Sequence, residues 1–461
     1  MRNLKRALSL AVASVMLIGM MVVGTGASYA DVTSEENQEA IEVLQAVGIM
    51  TGDDEGNFNP DQNVTRNEMA VIMCNLMDYT VSSYAGTAPF TDVPSWAEPY
   101  VAACWTHSIT GGTSATTYGG DDTVTTAQAA LMLMKALGYF QYSSDFGADW
   151  QLATVRQGNA IDLFNGVDSG VTAPMTRNDV AKLVLNTLEA GTVTASTEGS
   201  WSIGNVTIAS GVQYNYITSN ASYASAIDSD RQTNNDGDLV SGYIVELGEQ
   251  LYQGDLRLRE GTSDDFGRPS RTWYYENSEI GTYAETPDLT YTTSVESGEI
   301  YSDLGLGQSV ISSDVTVYVD GEEVDNSVAI RRSSETKLPN SGNGVLTEVY
   351  YDEDDDTALI THANTYVGTI VRSVEADDNE AAYVIVAPEA AINGAPAPIS
   401  GGEKFETEES FEDDAYVLYT YSEAADEIMS VELAEEVNGV VTRAENDDTN
   451  EEDAKALTID G

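Results

Sequence analysis

The sequence predicts a multidomain chain: an all-α bundle of three helix–loop–helix repeats over residues 31–190, followed by all-β modules over 191–461. Three observations predict it. A five-residue pattern is written three times, as VTRNE at 64–68, VTTAQ at 124–128 and MTRND at 175–179. After each copy the apolar residues fall at helical spacing, as in Met69, Ile72, Met73, Leu76 and Met77, the stripe of an amphipathic helix. Beyond about residue 191 that spacing gives way to short alternating runs rich in Val, Thr and Tyr, bounded by Gly, Asn and Asp, which read as strands and hairpins.

The chain opens with Arg2, Lys5 and Arg6, an uncharged apolar run over 7–23, and small residues at Ser28 and Ala30. This reads as a secretory signal peptide over 1–30, with cleavage expected after Ala30; an uncleaved membrane anchor is the alternative. No later stretch approaches the ~20 apolar residues needed to span a bilayer. The mature protein is expected outside the cytoplasmic membrane.

Each five-residue copy carries an apolar residue, a Thr, and an acid or amide three positions after the Thr: Val64, Thr65 and Glu68; Val124, Thr125 and Gln128; Met175, Thr176 and Asp179. That is a capping box with a hydrophobic staple, so three helices should start here. Capping gives no reason for Arg66 and Arg177 at N1, where a cation opposes the helix dipole at a cost of some tenths of a kcal/mol. A helix N-terminus with open amides attracts anions, and a forked guanidinium beside it suits a carboxylate or phosphate. A surface Arg that merely follows Thr is the plainer explanation. Two copies in one register favour a ligand, because residues 31–190 hold only five basic side chains: Arg66, Lys135, Arg156, Arg177 and Lys182.

The likeness extends well beyond the boxes. A constant shift of 60 carries Ile41 to Val101, Leu44 to Cys104, Gly52 to Gly112 and Met73 to Leu133. A third copy with a loop shorter by three places Gly166 at the Gly52 position. The repeats are bounded at 31–80, 88–141 and 142–190, each a shorter helix, a glycine-containing loop and a capped helix; one hairpin alone cannot bury its stripe, but three can. Cys74 and Cys104 are the only cysteines and replace apolar residues in other copies. They read as small core hydrophobes, with a single disulfide as the alternative. His107 falls at a helix end, and His362 has no metal-spaced partner.

FTDVPSWAEPYVAACWTHSITGG with VTTAQAALMLMKALGY, and IEVLQAVGIMTGDDEGNFNPDQNVTRNEMAVIMCNLM, strongly resemble S-layer homology repeats. That family's signature includes an opening F-x-D-V, a Trp, G-I-x-x-G, an F-x-P loop and a T-R-A-E box. The resemblance implies a pseudo-threefold helical spindle whose grooves bind a pyruvylated polysaccharide linked to peptidoglycan, holding the protein on a bacterial wall. Carried over residue by residue, Arg66 and Arg177 would pair with the pyruvate carboxylate. Trp96 and Trp150 would stack on sugars, Asp92 would take sugar hydroxyls, and Gly52, Gly112 and Gly166 would shape the loops. For the tryptophans, the residues alone leave a core position equally open. The second box has Thr126 in place of Arg, and the first repeat opens on Asp31 and Val32 without the Phe. One or two competent grooves are therefore expected.

The β half divides into 191–300 and 301–461, joined to the helices by a linker near 189–200. Hairpins are expected at 315–324 around Asp320 and Gly321, at 344–363 and at 414–433. Residues 366–378 and 437–448 form a weaker repeat, and the last module ends partway through its own pattern, as a fragment would. Segment 264–288 is similar to one found in clostridial surface proteins carrying these repeats. The acidic runs at 352–356 and 234–238 read as polar turns that would hold calcium loosely at most, so no cofactor is called for.

The formal charge of −56, from 20 basic against 76 acidic residues, excludes nucleic acid and anionic membranes as general partners. With two histidines in the chain and no nucleophile, phosphate-loop or zinc signature, no enzyme is expected. The expected function is non-covalent anchoring of an exported protein to a secondary cell wall polysaccharide, with β modules as a surface-layer or projecting part that self-associates. A wall-tethered glycan hydrolase and an adhesin are the rival readings.

Overall fold

The computed structural model describes Tyr29, residues 31–32 and residues 37–459 other than 54, 197–199, 204–205, 210–211, 230–238, 308–313, 326–327, 354, 377–380, 392–395, 408, 435–440 and 447–453. The leader read over 1–30 and the acidic run at 234–238 thus lie outside the described residues, Tyr29 excepted. By internal contacts the chain divides into two compact units, one from Met21 to Thr286 and one that begins at Pro287. Among the described residues no helix is long and apolar enough to cross a membrane.

Three helix pairs open the first unit. They are α1 (Gln38–Ala46) with α2 (Arg66–Leu76), α3 (Glu98–Thr106) with α4 (Thr126–Ala136), and α5 (Trp150–Ala160) with α6 (Arg177–Leu188). The second helix of each pair starts directly after its Thr, as the boxes require. The first box closes in both directions: Glu68 N donates to Thr65 Oγ1 at 3.2 Å, and Thr65 N donates to Glu68 Oε2 at 2.7 Å. In the second, Thr125 N donates to Gln128 Oε1 at 3.2 Å and the Thr125 side chain faces the Gln128 amide. In the third, Thr176 accepts from Asp179 N at 3.2 Å, but the Asp179 carboxylate turns to the Ser169 hydroxyl instead. The expectation of three reciprocal boxes is corrected at the third alone, because the Ser169 hydroxyl competes for the Asp179 carboxylate.

The apolar stripes meet in one core. Ile41, Leu44, Met69, Met73, Val101, Leu133, Val180, Leu183 and Leu188 are all fully buried in it. At roughly 1.5–3 kcal/mol for each large side chain, this burial is what fixes the hairpins together. Cys74 and Cys104 lie inside it as free thiols with their sulfurs 3.6 Å apart.

The residues preceding the caps join the pairs to one another. Val64 N donates to Met175 O at 2.9 Å, Met175 N to Val124 O at 3.0 Å, and Val124 N to Val64 O at 2.9 Å. The three bonds close a ring.

Strands follow without an open linker. β1 (Val193–Ser196) pairs antiparallel with β4 (Gln213–Tyr216), β2 (Ser200–Ile203) with β3 (Val206–Ala209), and β5 (Thr218–Ser219) with β6 (Tyr243–Ile244). Ala190, Thr192 and Val193 are buried; Val193 N donates to Leu137 O at 2.8 Å and Thr192 N to Val245 O at 2.9 Å. After α7 (Leu247–Tyr252) comes the antiparallel meander β7 (Leu256–Ser263), β8 (Pro269–Tyr275) and β9 (Ser278–Ala284). One of its faces packs on α1: Trp273 Nε1 donates to Glu39 at 2.6 Å and the Tyr283 hydroxyl to Glu42 at 2.5 Å. Residues 264–286 are therefore bolted to the first repeat.

In the second unit, β10 (Leu289–Tyr291), β11 (Asp314–Val319), β12 (Glu322–Glu323), β13 (Val345–Asp352) and β14 (Thr357–Asn364) form a sheet in the order β10-β13-β14-β11-β12. The pairs are antiparallel except β11 with β14. Helix α8 (Ser297–Asp303) buries Ile300 and Tyr301 against Val317, Val349 and Ile360 of that sheet. Pairing of β10 and packing of α8 place residues 287–303 with this unit, ahead of the boundary expected at 300. Asp320 and Gly321 turn between β11 and β12 with φ of 48° and 91°, a hairpin as expected. The 352–356 run is the β13–β14 turn, with Asp355 N on Asp352 Oδ1 at 3.1 Å. A second sheet runs β17-β16-β15-β18-β19, built from β15 (Tyr366–Val374), β16 (Tyr383–Ala391), β17 (Glu403–Glu406), β18 (Tyr416–Ser422) and β19 (Glu427–Leu433). The β18–β19 hairpin is the one expected at 414–433. β20 (Val441–Asn446) and β21 (Ala454–Ile459) pair antiparallel, as β15 and β16 do.

Candidate functional site

Both N1 arginines clasp the loop of a neighbouring hairpin. Arg66 is only 8 % exposed; its Nη2 donates to Gly111 O at 2.8 Å and its Nε to Tyr118 O at 3.3 Å. Its guanidinium carbon stands 4.6 Å from the Tyr118 ring centre, a cation–π distance. Tyr118 returns its hydroxyl to Arg66 O at 3.1 Å. Arg177 repeats the arrangement on the first loop: Nε to Phe58 O at 2.7 Å, Nη2 to Thr51 O at 2.9 Å, and its guanidinium carbon 4.6 Å from the Phe58 ring centre. It is less enclosed than Arg66, although burial lowers its pKa; it stays charged.

The helix starts are not the open anion sites that the sequence suggested. Arg66 N donates to Asp122 O and Asn67 N to Gly120 O, each at 2.9 Å. Arg177 N donates to Gln62 O at 2.8 Å and Asn178 N to Pro60 O at 3.0 Å. Loop carbonyls have taken the amides, so any anion must be met by the remaining N–H groups of the guanidinium fork. Where Thr126 replaces Arg, the same geometry survives without the charge: its amide donates to Ala173 O at 3.2 Å and its hydroxyl to Gly170 O at 3.0 Å.

Aromatic rings back both clasps. Phe90 lies 5.3 Å from the Tyr118 ring and Tyr29 lies 5.5 Å from the Phe58 ring. Gly52 and Gly112 are glycine because a Cβ would sit 2.3 Å from a Tyr29 ring atom or 2.4 Å from a Phe90 ring atom. Gly166 differs: it has φ +67° and its neighbour is the Lys182 stem. Tyr29 thus fills the place read as lacking its Phe, two residues before Asp31, and its hydroxyl accepts from Gly52 N at 2.6 Å.

Asp92 holds the second loop rather than standing free. Its two oxygens accept from Tyr118 N at 2.7 Å and Gly119 N at 2.8 Å, and these amides hold its pKa below the usual carboxylate value. Asp31 does the same for Phe58 N at 2.8 Å and Asn59 N at 2.6 Å.

The tryptophans are outside the core. Trp96 is 55 % exposed and Trp150, at N1 of α5, is 37 % exposed, which rules out the core alternative for both. A third ring escaped sequence reasoning: Trp105 is 38 % exposed and meets Phe90 edge-on at 6.5 Å, extending the Arg66–Tyr118–Phe90 stack to the surface. Its only signal was its place off the Val101–Cys104 stripe. His107 is at the surface, stacked on Tyr79 at 4.2 Å. Beside α5, a cleft of ≈ 300 Å³ is lined by Tyr139, Phe140, Tyr214, Asp145 and Arg156, rings and hydrogen-bonding groups of the kind that suit a saccharide.

Repeated hairpins, each clasping a neighbour's loop, with exposed tryptophans on the second and third, are the architecture of a modular binding domain. Residues 28–70 and 89–130 match the S-layer homology domain, and the first match begins ahead of Tyr29. The chain carries S-layer homology domains, and the matches indicate a place at the cell wall or cell surface. It is 29 % identical over 168 residues to the "Surface-layer 125 kDa protein" of Lysinibacillus sphaericus, covering 33 % of this chain and 14 % of that one. It is 23 % identical over 232 residues to a "Cell surface protein" of Thermoanaerobacter kivui, covering 48 % and 30 %. It is 24 % identical over 208 residues to an "Endoglucanase" of Bacillus sp. (strain KSM-635), covering 43 % and 19 %. The chain therefore spans less than a third of the length of each of these relatives.

Proposed function

We propose that the three hairpins form a pseudo-threefold bundle that anchors the protein non-covalently to a pyruvylated polysaccharide linked to peptidoglycan, with the β modules as the surface-structural part. The observation that carries this is the pair of guanidinium clasps, backed by aromatic rings, in a molecule of charge −56. A local cation can capture a sugar-borne carboxylate where the overall field repels polyanions. Arg177, the less enclosed of the two, is the primary carboxylate contact, and Trp96 and Trp150 supply stacking surfaces. The clasp with Thr126 lacks the charge, so two grooves are competent rather than three. Many polymer chains on a wall turn modest contacts into firm retention.

The test is sedimentation of the full chain with purified walls, before and after chemical removal of the non-peptidoglycan polymer. Trp96→Ala with Trp150→Ala carries the binding question, because both rings are exposed and their loss spares the fold. Binding is expected to vanish with the polymer and to weaken in the double variant. Retention on stripped walls would overturn the reading.

A second reading, a wall-tethered glycan hydrolase, is favoured by the similarity to the endoglucanase. One raised carboxyl is Glu432, pushed up to about 7 by burial and then by Glu409. Glycan release that disappears in Glu432→Gln would establish it; no release from walls or cellulose would remove it.

A further inference from the structure

The meander β7–β8–β9 has a second face that the wall-anchoring reading does not use. Arg257 lies directly opposite Tyr274 in the β7–β8 register, and Arg259 is two residues along the same strand, so all three share a face. The neighbouring positions Leu256 and Trp273 point to the other face and are fully buried. Both guanidinium carbons address the one Tyr274 ring, at 5.8 and 5.6 Å from its centre. They open into a cleft of ≈ 700 Å³ whose further lining includes Ser222, Ser225 and Gln253 and contains no carboxylate.

In a chain with 76 acidic residues, that lining is unusual. Arg268 pairs with Asp264 at 2.5 Å, and Arg271 pairs with Glu39 at 2.7 Å and Glu189 at 3.0 Å. Arg257 and Arg259 form no ion pair with any described carboxylate. Among the described residues the Arg257 side chain has one hydrogen bond, Nη2 to Asn277 Oδ1 at 3.2 Å, and its Nε has none. A donor left unmet is unfavourable, and two like charges on one ring repel each other. An oxyanion between the two guanidiniums would relieve that repulsion. The ring face, hydroxyls and amide around it would hold a hydroxylated body.

We propose that this cleft binds a small oxyanion-bearing ligand, a carboxylated or phosphorylated sugar or polyol, through Arg257 and Arg259. The field of the acidic chain disfavours a long polyanion, which restricts the ligand to a small one or to a chain end. The cleft lies outside residues 28–70 and 89–130 that match the S-layer homology domain, so its occupancy can be tested apart from wall anchoring.

Isothermal titration of the full chain at low salt with methyl glucuronide, glycerol phosphate and neutral methyl glucoside tests it. At least one anionic probe binds saturably and the neutral one does not; which anion binds separates a carboxylate source from a phosphate source. Arg257→Gln with Arg259→Gln weakens that binding at least about tenfold. Should the double variant lose its fold, Ser222→Glu, an exposed substitution that brings a carboxylate to the cleft, must give the same loss. Absence of binding by both anions, equal binding of the neutral sugar, or indifference to Ser222→Glu overturns the proposal.

Discussion

The Arg271 guanidinium of β8 bonds Glu39 of α1 at 2.7 Å and, on its other edge, Glu189 at the end of α6 at 3.0 Å. One side chain thereby ties the meander to the first and the last helix of the repeats. All three are about a fifth exposed, at 22 %, 17 % and 24 %. Removing the cation leaves two enclosed carboxylates facing each other, so Arg271→Met is expected to cost roughly 2–3 kcal/mol. Urea unfolding followed by Trp273 fluorescence measures it; a loss within experimental scatter would mean that the apolar contacts alone hold the meander.

The two clasps should differ in what they stabilise. Arg66 is enclosed and Arg177 is partly open, so Arg66→Gln is expected to lower the melting temperature more than Arg177→Gln. Each lost hydrogen bond to a charged group is worth about 1.5–3 kcal/mol. Wall binding should show the reverse order once both variants are compared below their melting transitions. Circular dichroism melts beside sedimentation assays separate the two effects.

Tyr29 belongs to the core, with its ring on Phe58 and its hydroxyl on Gly52. Cleavage after Ala30 would remove it and leave a hole beneath the first loop, at a cost of about 3–5 kcal/mol for a large aromatic. The mature exported chain is therefore expected to retain Tyr29, with processing upstream of it. N-terminal sequencing of secreted protein decides this, and a first residue of Asp31 would refute it.

His362 on β14 is 1 % exposed, with Nδ1 bonded to the Thr347 hydroxyl at 2.9 Å and Nε2 without a partner. Burial lowers its pKa from 6.5 to about 4. Between those values the unfolded chain binds the proton and the native chain does not, so this residue makes stability fall as pH falls. The loss between pH 7 and pH 5 is about 2 kcal/mol. Glu432, raised to about 7, pulls the other way, its stabilising effect being present at low pH and lost as pH rises through 7. Comparing His362→Gln with the parent by urea unfolding at pH 5, 6 and 7 isolates the imidazole: the variant should lose the corresponding part of the slope.

What the sequence carried plainly was local. Thr65, Thr125 and Thr176 announce helix starts because a cap is a contact between neighbours three residues apart. The Asp320–Gly321 hairpin is legible for the same reason. The purpose of Arg66 was half legible: its position demanded a partner, but the carbonyls of Gly111 and Tyr118 are 45 and 52 residues away, and backbone acceptors leave no mark in a sequence. Trp96 and Trp150 stayed ambiguous because a ring beside a helix start is equally compatible with core and surface. Arg271 and Glu39, 232 residues apart, had no pattern to link them. Tyr29 was hidden because a Tyr stood for the expected Phe within a stretch that also reads as a leader.

The ring through Val64, Met175 and Val124 has no first member and no last. An open stack of repeats grows by adding a unit at either end, but this circuit has no end to extend. A duplication supplying a fourth hairpin would find every amide and carbonyl of the ring engaged, and a deletion to two would strand one of each. Geometry of this kind counts, and a lineage built on it can diversify what it appends to the hairpins far more freely than it can change their number.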